Sequence, residues 1–339
     1  MNHRCAQIRN RRKAAKSYLC ESVCICGSKL FVAPWLRCET EQATPLSKPS
    51  AAATLPATGP TVTIHRPMGR RLADMSVVIT GASAGIGRAL AEQLSAAGAV
   101  LTLAARRVDR LEALNAALGG RHRVVRADVS VRADCEALIA AAAVDGRTDT
   151  LVCNAGYGLA KPTAMTTADE VSALFQTNVF GTLDAIRPAV VLMRAQPERD
   201  GYRGQIMVVS SAVARRAVPY FGVYAATKAA QLSLCEALRV ELAPSGIAVT
   251  SVHPAGTDTE FFDVAGQRGG TRVPGARRQS VAAVAAAMVA AIVRPRPEVW
   301  PRRLARLGTS FCTLVPGLSD RALRNYRAEL STIGPSETR

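Results

Sequence analysis

From Met75 onward the chain alternates short apolar runs with longer stretches whose apolar residues recur every three or four positions. The runs SVVIT, VLTLAA, HRVVRADV, TLVCNAG, QIMVVSS and IAVTSVHPAG predict buried strands. The stretches GRALAEQLSAAG, DRLEALNAALGG, RADCEALIAAAA, 167–194 and YAATKAAQLSLCEALRVELAPSG between them carry helical spacing, with Gly or Pro at several ends. Pro188 predicts a bend or break in the longest of these, because proline lacks the helical N–H donor. Strand–helix alternation predicts an α/β fold, a doubly wound parallel sheet with helices on both faces. Strands that are apolar throughout, rather than at alternate positions, agree with a sheet covered on both sides.

The two ends read differently. Residues 1–74 show no sustained period, and ATPLSKPSAAATLPATGPTVT has linker composition, predicting a disordered or loosely packed extension. Residues 75–299 form the predicted single domain, and 300–339 a C-terminal helical extension. In that extension RRLARLG and DRALRNYRAEL are basic and helical in period. The expectation is two amphipathic helices packed on the domain. Capping of a cleft and contact with an anionic membrane surface are the alternatives.

Composition narrows the class. The 339 residues are 48% hydrophobic and 20% charged, as in ordinary globular proteins. The net charge is +17, and the first 75 residues hold 12 Lys/Arg against 4 Asp/Glu. The remaining basic residues are scattered without interleaved aromatics, so no nucleic-acid partner is expected. The longest apolar run, Val281 to Val293, has 13 residues and is too short to span a bilayer. The N-terminus is basic, has no acid before Glu21 and lacks a long apolar core, which reads as a cytoplasmic protein. An organellar targeting segment and an overlong gene start are the other readings. Nine cysteines are present, but Cys20, Cys24 and Cys26 do not have paired zinc-ligand spacing, and no metal is expected. Cys135, Cys153, Cys235 and Cys312 fall in apparent helix or strand interiors and read as buried thiols.

The segment TGASAGIGR, Thr80 to Arg88, joins the first strand to the first helix. Its glycines allow a tight turn, and a helix N-terminus presents free N–H groups to an anion. Gly81, Ser83, Ala84, Gly85, Ile86 and Gly87 are the predicted pyrophosphate cradle. Late in the chain VYAATKAA places Tyr224 and Lys228 one turn apart in a run of helix formers. YGLAK repeats the spacing with Tyr157 and Lys161, but Asn154, Gly156, Gly158 and Pro162 mark that segment as loop.

The glycine pattern resembles the TGxxxGxG of the short-chain dehydrogenase/reductase superfamily, over about Met75 to Val299. The resemblance implies a Rossmann fold, NAD(P) as cofactor and a homodimer or homotetramer. Dinucleotide enzymes selective for NAD place an acid about 20 residues past the loop. Here the second strand ends in Ala105, Arg106 and Arg107, which suits a 2′-phosphate and favours NADP(H) over NAD(H), with Arg106 first and Arg107 second. The family pattern further implies Asp128 and Val129 near adenine, and Asn154, Ala155 and Gly156 beside the cofactor. It implies Ser211 as the serine bonding the substrate oxygen, 13 residues before Tyr224, and Asn178 supporting a water and the lysine in a proton relay. Pro254, Gly256, Thr257 and Thr259 match the nicotinamide-side PGxxxT motif, with Ala255 in the glycine position.

The expected chemistry is hydride transfer with Tyr224 as proton donor and acceptor, also touching the cofactor with Lys228. Lys228 at about 4 Å favours tyrosinate by up to about 4 kcal/mol, or about three pKa units. The segment Glu260 to Ser280 is rich in Gly and Arg and reads as a mobile lid. Phe261, Phe262, Val213 and Tyr157 are the expected cleft wall, beside Ser211 and Tyr224 at the substrate. An apolar wall suggests a lipophilic ketone, aldehyde or secondary alcohol. The other class of reading is a non-catalytic NADP(H)-sensing binding protein on the same fold.

Overall fold

The computed structural model describes residues 69–143, 146–270 and 278–331. The extension and its cysteines up to residue 68 lie outside the described residues, as does the second part of the predicted lid, 271–277.

Seven parallel strands form one sheet in the order β3-β2-β1-β4-β5-β6-β7. They are β1 (Ser76–Thr80), β2 (Val100–Ala105), β3 (Arg123–Arg126), β4 (Thr150–Cys153), β5 (Gly204–Val209), β6 (Ile247–Val252) and β7 (Glu298–Val299). The strand order reverses between β1 and β4, the position where open α/β sheets bind ligands beyond the carboxyl ends of their strands. Every residue of β1, β4 and β5 is buried, which is why these runs carry no polar alternation.

Helices cover both faces. One layer packs α1 (Gly85–Ala96) and α8 (Val281–Val293) through Leu90, Leu94, Val284, Met288 and Ile292. The other packs α3 (Arg132–Ala142) and α5 (Gly181–Ala195) through Leu138, Ile139, Ile186, Ala189 and Met193. The remaining helices are α2 (Val108–Ala117), α4 (Ala168–Phe175), α6 (Gly222–Leu242), α7 (Phe261–Gly269), α9 (Arg303–Leu314) and α10 (Pro316–Ser331). No described helix is long and apolar enough to cross a membrane.

The ordered domain reaches back before Met75. The Arg70 side chain is 3% exposed, and its guanidinium donates to Gln205 Oε1 and to the Asp149 carbonyl, both at 2.9 Å.

Two expectations about helices change. Pro188 sits inside α5 without ending it. Proline removes one N–H, but Ala185, Ile186, Ala189 and Met193 hold both sides of it against the sheet. The irregularity comes earlier, as a π-helical turn over Gln176–Phe180 that separates α4 from α5. In the C-terminal extension both helices form, yet α9 turns its large apolar side chains outward: Leu304, Leu307 and Leu314 are 78%, 67% and 81% exposed. The packing face of α9 is made of smaller residues, half-buried Ala305, Thr309 and Cys312.

Candidate active site

The loop after β1 is shaped by glycine. Gly81 has φ +70°, and a Cβ on Gly87 would stand 2.5 Å from the Gly81 carbonyl and 2.6 Å from the Asn154 side chain. No side chain fits there, so the loop presents bare backbone at the N-terminus of α1. Asn154 ties this loop to the end of β4, donating from Nδ2 to the carbonyls of Thr80 (3.0 Å) and Gly81 (3.2 Å). A cleft of about 700 Å³ runs from this loop across the carboxyl ends of the strands.

Arg106 and Arg107 stand at one end of that cleft. Arg106 lies 3.7 Å from Asp128 Oδ2, and Arg107 donates to Ser83 Oγ at 3.3 Å and approaches Glu260 at 3.5 Å. Arg110, not foreseen from sequence, meets the same Glu260 at 3.0 Å. Burial pushes the Asp128 carboxyl up, but hydrogen bonds from Ser130 and the Arg106 charge outweigh it and hold the group below its ordinary value. Val129 and Ala155 line the cleft beside these groups. A bare-backbone cradle at a helix N-terminus fits the pyrophosphate of a nicotinamide dinucleotide.

Tyr224 and Lys228 project from the first turns of α6. Tyr224 is 8% exposed, enclosed by Phe261 (ring centroids 5.1 Å apart) and Phe221 (6.1 Å). Lys228 is 4% exposed; its Nζ donates to the Val209 carbonyl at 2.8 Å and to Gln231 Oε1 at 2.9 Å. The expected electrostatic effect of lysine on tyrosine is corrected here. Desolvation drives Lys228 down to about 7. Burial raises Tyr224 above its ordinary value, with the Ser211 hydrogen bond acting the other way. Lys228 Nζ stands 5.7 Å from the Tyr224 ring centroid, turned toward neutral acceptors. Both bonds run to uncharged oxygens, and Lys228 lines the cleft.

Asn178 sits in the π turn and is fully buried. Its Oδ1 accepts from Tyr157 N at 3.1 Å, and its Nδ2 donates to the Tyr157 carbonyl at 3.0 Å and to Thr227 Oγ1 at 3.1 Å. Its carbonyl accepts from Gln231 Nε2 at 2.6 Å and from Thr182 Oγ1 at 2.8 Å. Gln231 therefore connects Lys228 to Asn178 directly through its amide. Nothing in the sequence pattern singled out Gln231, which is one polar residue in a long helix. A Cβ on Gly156 would stand 2.9 Å from Asn178 Oδ1 and 3.7 Å from Lys228 Nζ, so the chain passes close to both.

Ser211 follows β5 and is set by its backbone. Its Oγ lies 3.5 Å from the Pro254 carbonyl, and its own carbonyl accepts from His253 Nδ1 at 3.2 Å. The His253 ring stacks on Trp300 at 4.5 Å, so the first residue of the C-terminal extension supports this loop. The adjacent serine, Ser210, is 3% exposed and donates to the Lys228 carbonyl at 2.9 Å. Ala255 takes the glycine position without a left-handed backbone. Gln279 holds the loop instead, its N donating to the Gly256 carbonyl at 2.8 Å and its Nε2 to Thr257 Oγ1 at 3.1 Å. Thr259 touches the glycine loop, its Cγ2 lying 3.2 Å from the position of a Cβ on Gly85.

The first part of the predicted lid is helix α7, fixed by a bond from Ala160 N to the Ala265 carbonyl at 3.0 Å. Phe261, Phe262, Val213 and Tyr157 all line the cleft, joined by Val218 and Phe221. Among the described residues no cluster of potential metal ligands occurs.

A family model described as short chain dehydrogenase matches residues 75–268. An oxidoreductase from Sarocladium schorii is 34% identical over 157 residues, which is 46% of this chain and 61% of that protein. A 3-ketodihydrosphingosine reductase from Bacteroides thetaiotaomicron is 34% identical over 148 residues, 42% of this chain and 52% of that protein. The chain thus spans about half the length of these curated relatives. A short-chain dehydrogenase from Sphingobium yanoikuyae, solved in complex with NADPH, superposes with a TM-score of 0.62 at 29% identity, covering 73% of this chain and 95% of that one.

Proposed function

The chain belongs to the short-chain dehydrogenase family, and on that premise we propose that it is an NADP(H)-dependent oxidoreductase interconverting a lipophilic carbonyl compound and its alcohol. One observation carries the reading: Ser211, Tyr224 and Lys228 line the same cleft as the bare glycine loop and Arg106. Gly81, Gly85 and Gly87 would hold the pyrophosphate, and Arg106 and Arg107 the 2′-phosphate. The bound cofactor supplies the hydride in reduction and accepts it in oxidation.

The side chains manage the proton. Tyr224 Oη is protonated at neutral pH and gives its hydrogen to the substrate oxygen in the reductive direction. Ser211 Oγ donates a hydrogen bond that holds that oxygen in place. Lys228, at about 7, exists in both protonation states near neutrality and returns a proton to the tyrosyl oxygen. Burial under Phe261 and Phe221 excludes water from the reacting oxygen. The same aromatic wall favours an apolar substrate, and the similarity to a 3-ketodihydrosphingosine reductase supports a carbonyl substrate.

The test is a carbonyl panel followed by NADPH absorbance. Lipophilic ketones are expected to turn over, with NADPH binding at least about tenfold tighter than NADH, and Arg106→Ala is expected to narrow that ratio. NADPH binding without turnover of any carbonyl or alcohol would instead favour a cofactor-sensing protein.

A further inference from the structure

Helix α9 exposes the residues that an ordinary surface helix buries. At about 100° per residue, Leu304, Leu307, Phe311 and Leu314 fall within an arc of about 80°. Phe311 is 54% exposed, in line with its three leucine neighbours. Val315 and Leu318, 39% and 55% exposed, continue the apolar surface into α10. The helix is anchored through its other side, where Thr313 Oγ1 donates to the Arg215 carbonyl at 3.4 Å, and the next residue, Arg216, pairs with Asp320 of α10. The apolar stripe is therefore held outward on the segment that follows Ser211.

Charge identifies what the stripe meets. Exposed Arg303 and Arg306 lie on α9 at the side of the arc, and exposed Arg321, Arg324 and Arg327 lie on α10. No Asp or Glu occurs from Val299 to Ser319. A second copy of the chain would bring the same cations against these cations in a two-fold interface. A surface of phosphate headgroups over acyl chains answers both features, since guanidinium binds phosphate oxygens and the apolar arc enters the acyl boundary.

We propose that α9 docks in the plane of an anionic bilayer surface, with Leu304, Leu307, Phe311 and Leu314 in the lipid and Arg303 and Arg306 at the phosphates. Twelve residues span about 18 Å, which suits a helix lying on the membrane. Docking there places the Ser211–Arg216 side of the cleft next to the lipid. This inference stands apart from the chemistry of the site.

The experiment is flotation of the full chain with vesicles of phosphatidylcholine alone or with about one third phosphatidylglycerol. The unmodified protein is expected to float with the anionic vesicles at least about tenfold better than with the neutral ones. Leu307→Glu with Phe311→Glu is expected to reduce flotation by about tenfold or more; both positions are exposed, and unchanged thermal unfolding checks the fold. Arg303→Glu with Arg306→Glu is expected to remove the preference for anionic vesicles. The proposal is overturned if the unmodified protein stays unbound, or if the Leu307/Phe311 variant floats as well as the unmodified protein. It is also overturned if sedimentation shows self-association that this variant abolishes while vesicles bind neither protein.

Discussion

A tyrosine followed four residues later by a lysine occurs at Tyr157–Lys161 and at Tyr224–Lys228, and both tyrosines line the same cleft. The first pair lies in the irregular segment between β4 and α4, the second on α6. Lys161 spends its charge on a carboxylate, bonding Glu170 at 2.7 and 2.9 Å. The Lys161 bond is the main reason the Glu170 carboxyl sits below its ordinary value. Lys228 meets a carbonyl and an amide oxygen. Tyr157 lies under the Arg268 guanidinium at 4.3 Å, while Tyr224 lies under apolar rings. A lysine answered by a carboxylate is a strut; one answered by neutral oxygens in a dry site can pass a proton. Distance from the cleft does not separate the tyrosines, because both line it. The partner of each lysine does.

Substitutions sharpen the contrast in descending order. Tyr224→Phe is expected to lower turnover about a thousandfold while NADPH affinity, read by fluorescence titration, changes by less than about threefold. Retained turnover would remove the proton-transfer role. Lys228→Met is expected to lower turnover about a hundredfold and to alter the pH dependence of stability. In the folded state Lys228 holds its proton only up to about pH 7, against an ordinary value of 10.5. Between those limits the unfolded chain binds the extra proton, so this residue makes stability rise with pH across the window. Urea unfolding at intervals from pH 7 to 10 should show the variant's advantage shrinking as pH rises; parallel curves would contradict the buried, neutral amine. Tyr157→Phe is expected to change KM about two- to fivefold with little effect on kcat, because the ring remains as cleft wall. Lys161→Met is expected to leave turnover unchanged and lower Tm by no more than about 2 °C, as suits a pair near the surface. A large loss of activity in Lys161→Met would erase the distinction between the two lysines.

The parts legible in sequence are those whose signal is local. Strands β1, β2, β4, β5 and β6 are mostly apolar runs, and the glycine loop announces itself by composition; β3, expected to be buried, is RVVR at the sheet edge with its arginines exposed and its valines half-buried. Strand β7, only Glu298–Val299, is too short to carry a pattern. Pro188 does not break its helix, and the irregularity at Gln176–Phe180 was missed because a π turn has no composition of its own. Gln231 and His253 were missed because their importance comes from what lies across space: Lys228 and Asn178 for one, Ser211 and Trp300 for the other. The charge argument for Lys228 assumed a solvated ammonium, and its burial is decided by the fold rather than by the four-residue spacing. The outward face of α9 is likewise invisible to periodicity, which locates an apolar arc but not its direction.

The π turn at Gln176–Phe180 makes this stretch a counting device. Its wider winding advances the helix more slowly per residue, so the turn takes up one extra residue within about the same total rotation. Loss of one residue would let the chain resume ordinary winding with the phase of α5 nearly unchanged. Ala185, Ile186, Ala189 and Met193 would keep their places against the sheet. The Asn178 carbonyl, now open to Gln231 and Thr182, would return to the helix ladder. Placement of a group behind the cleft is thus recorded in a single integer, the number of residues between Phe175 and Gly181.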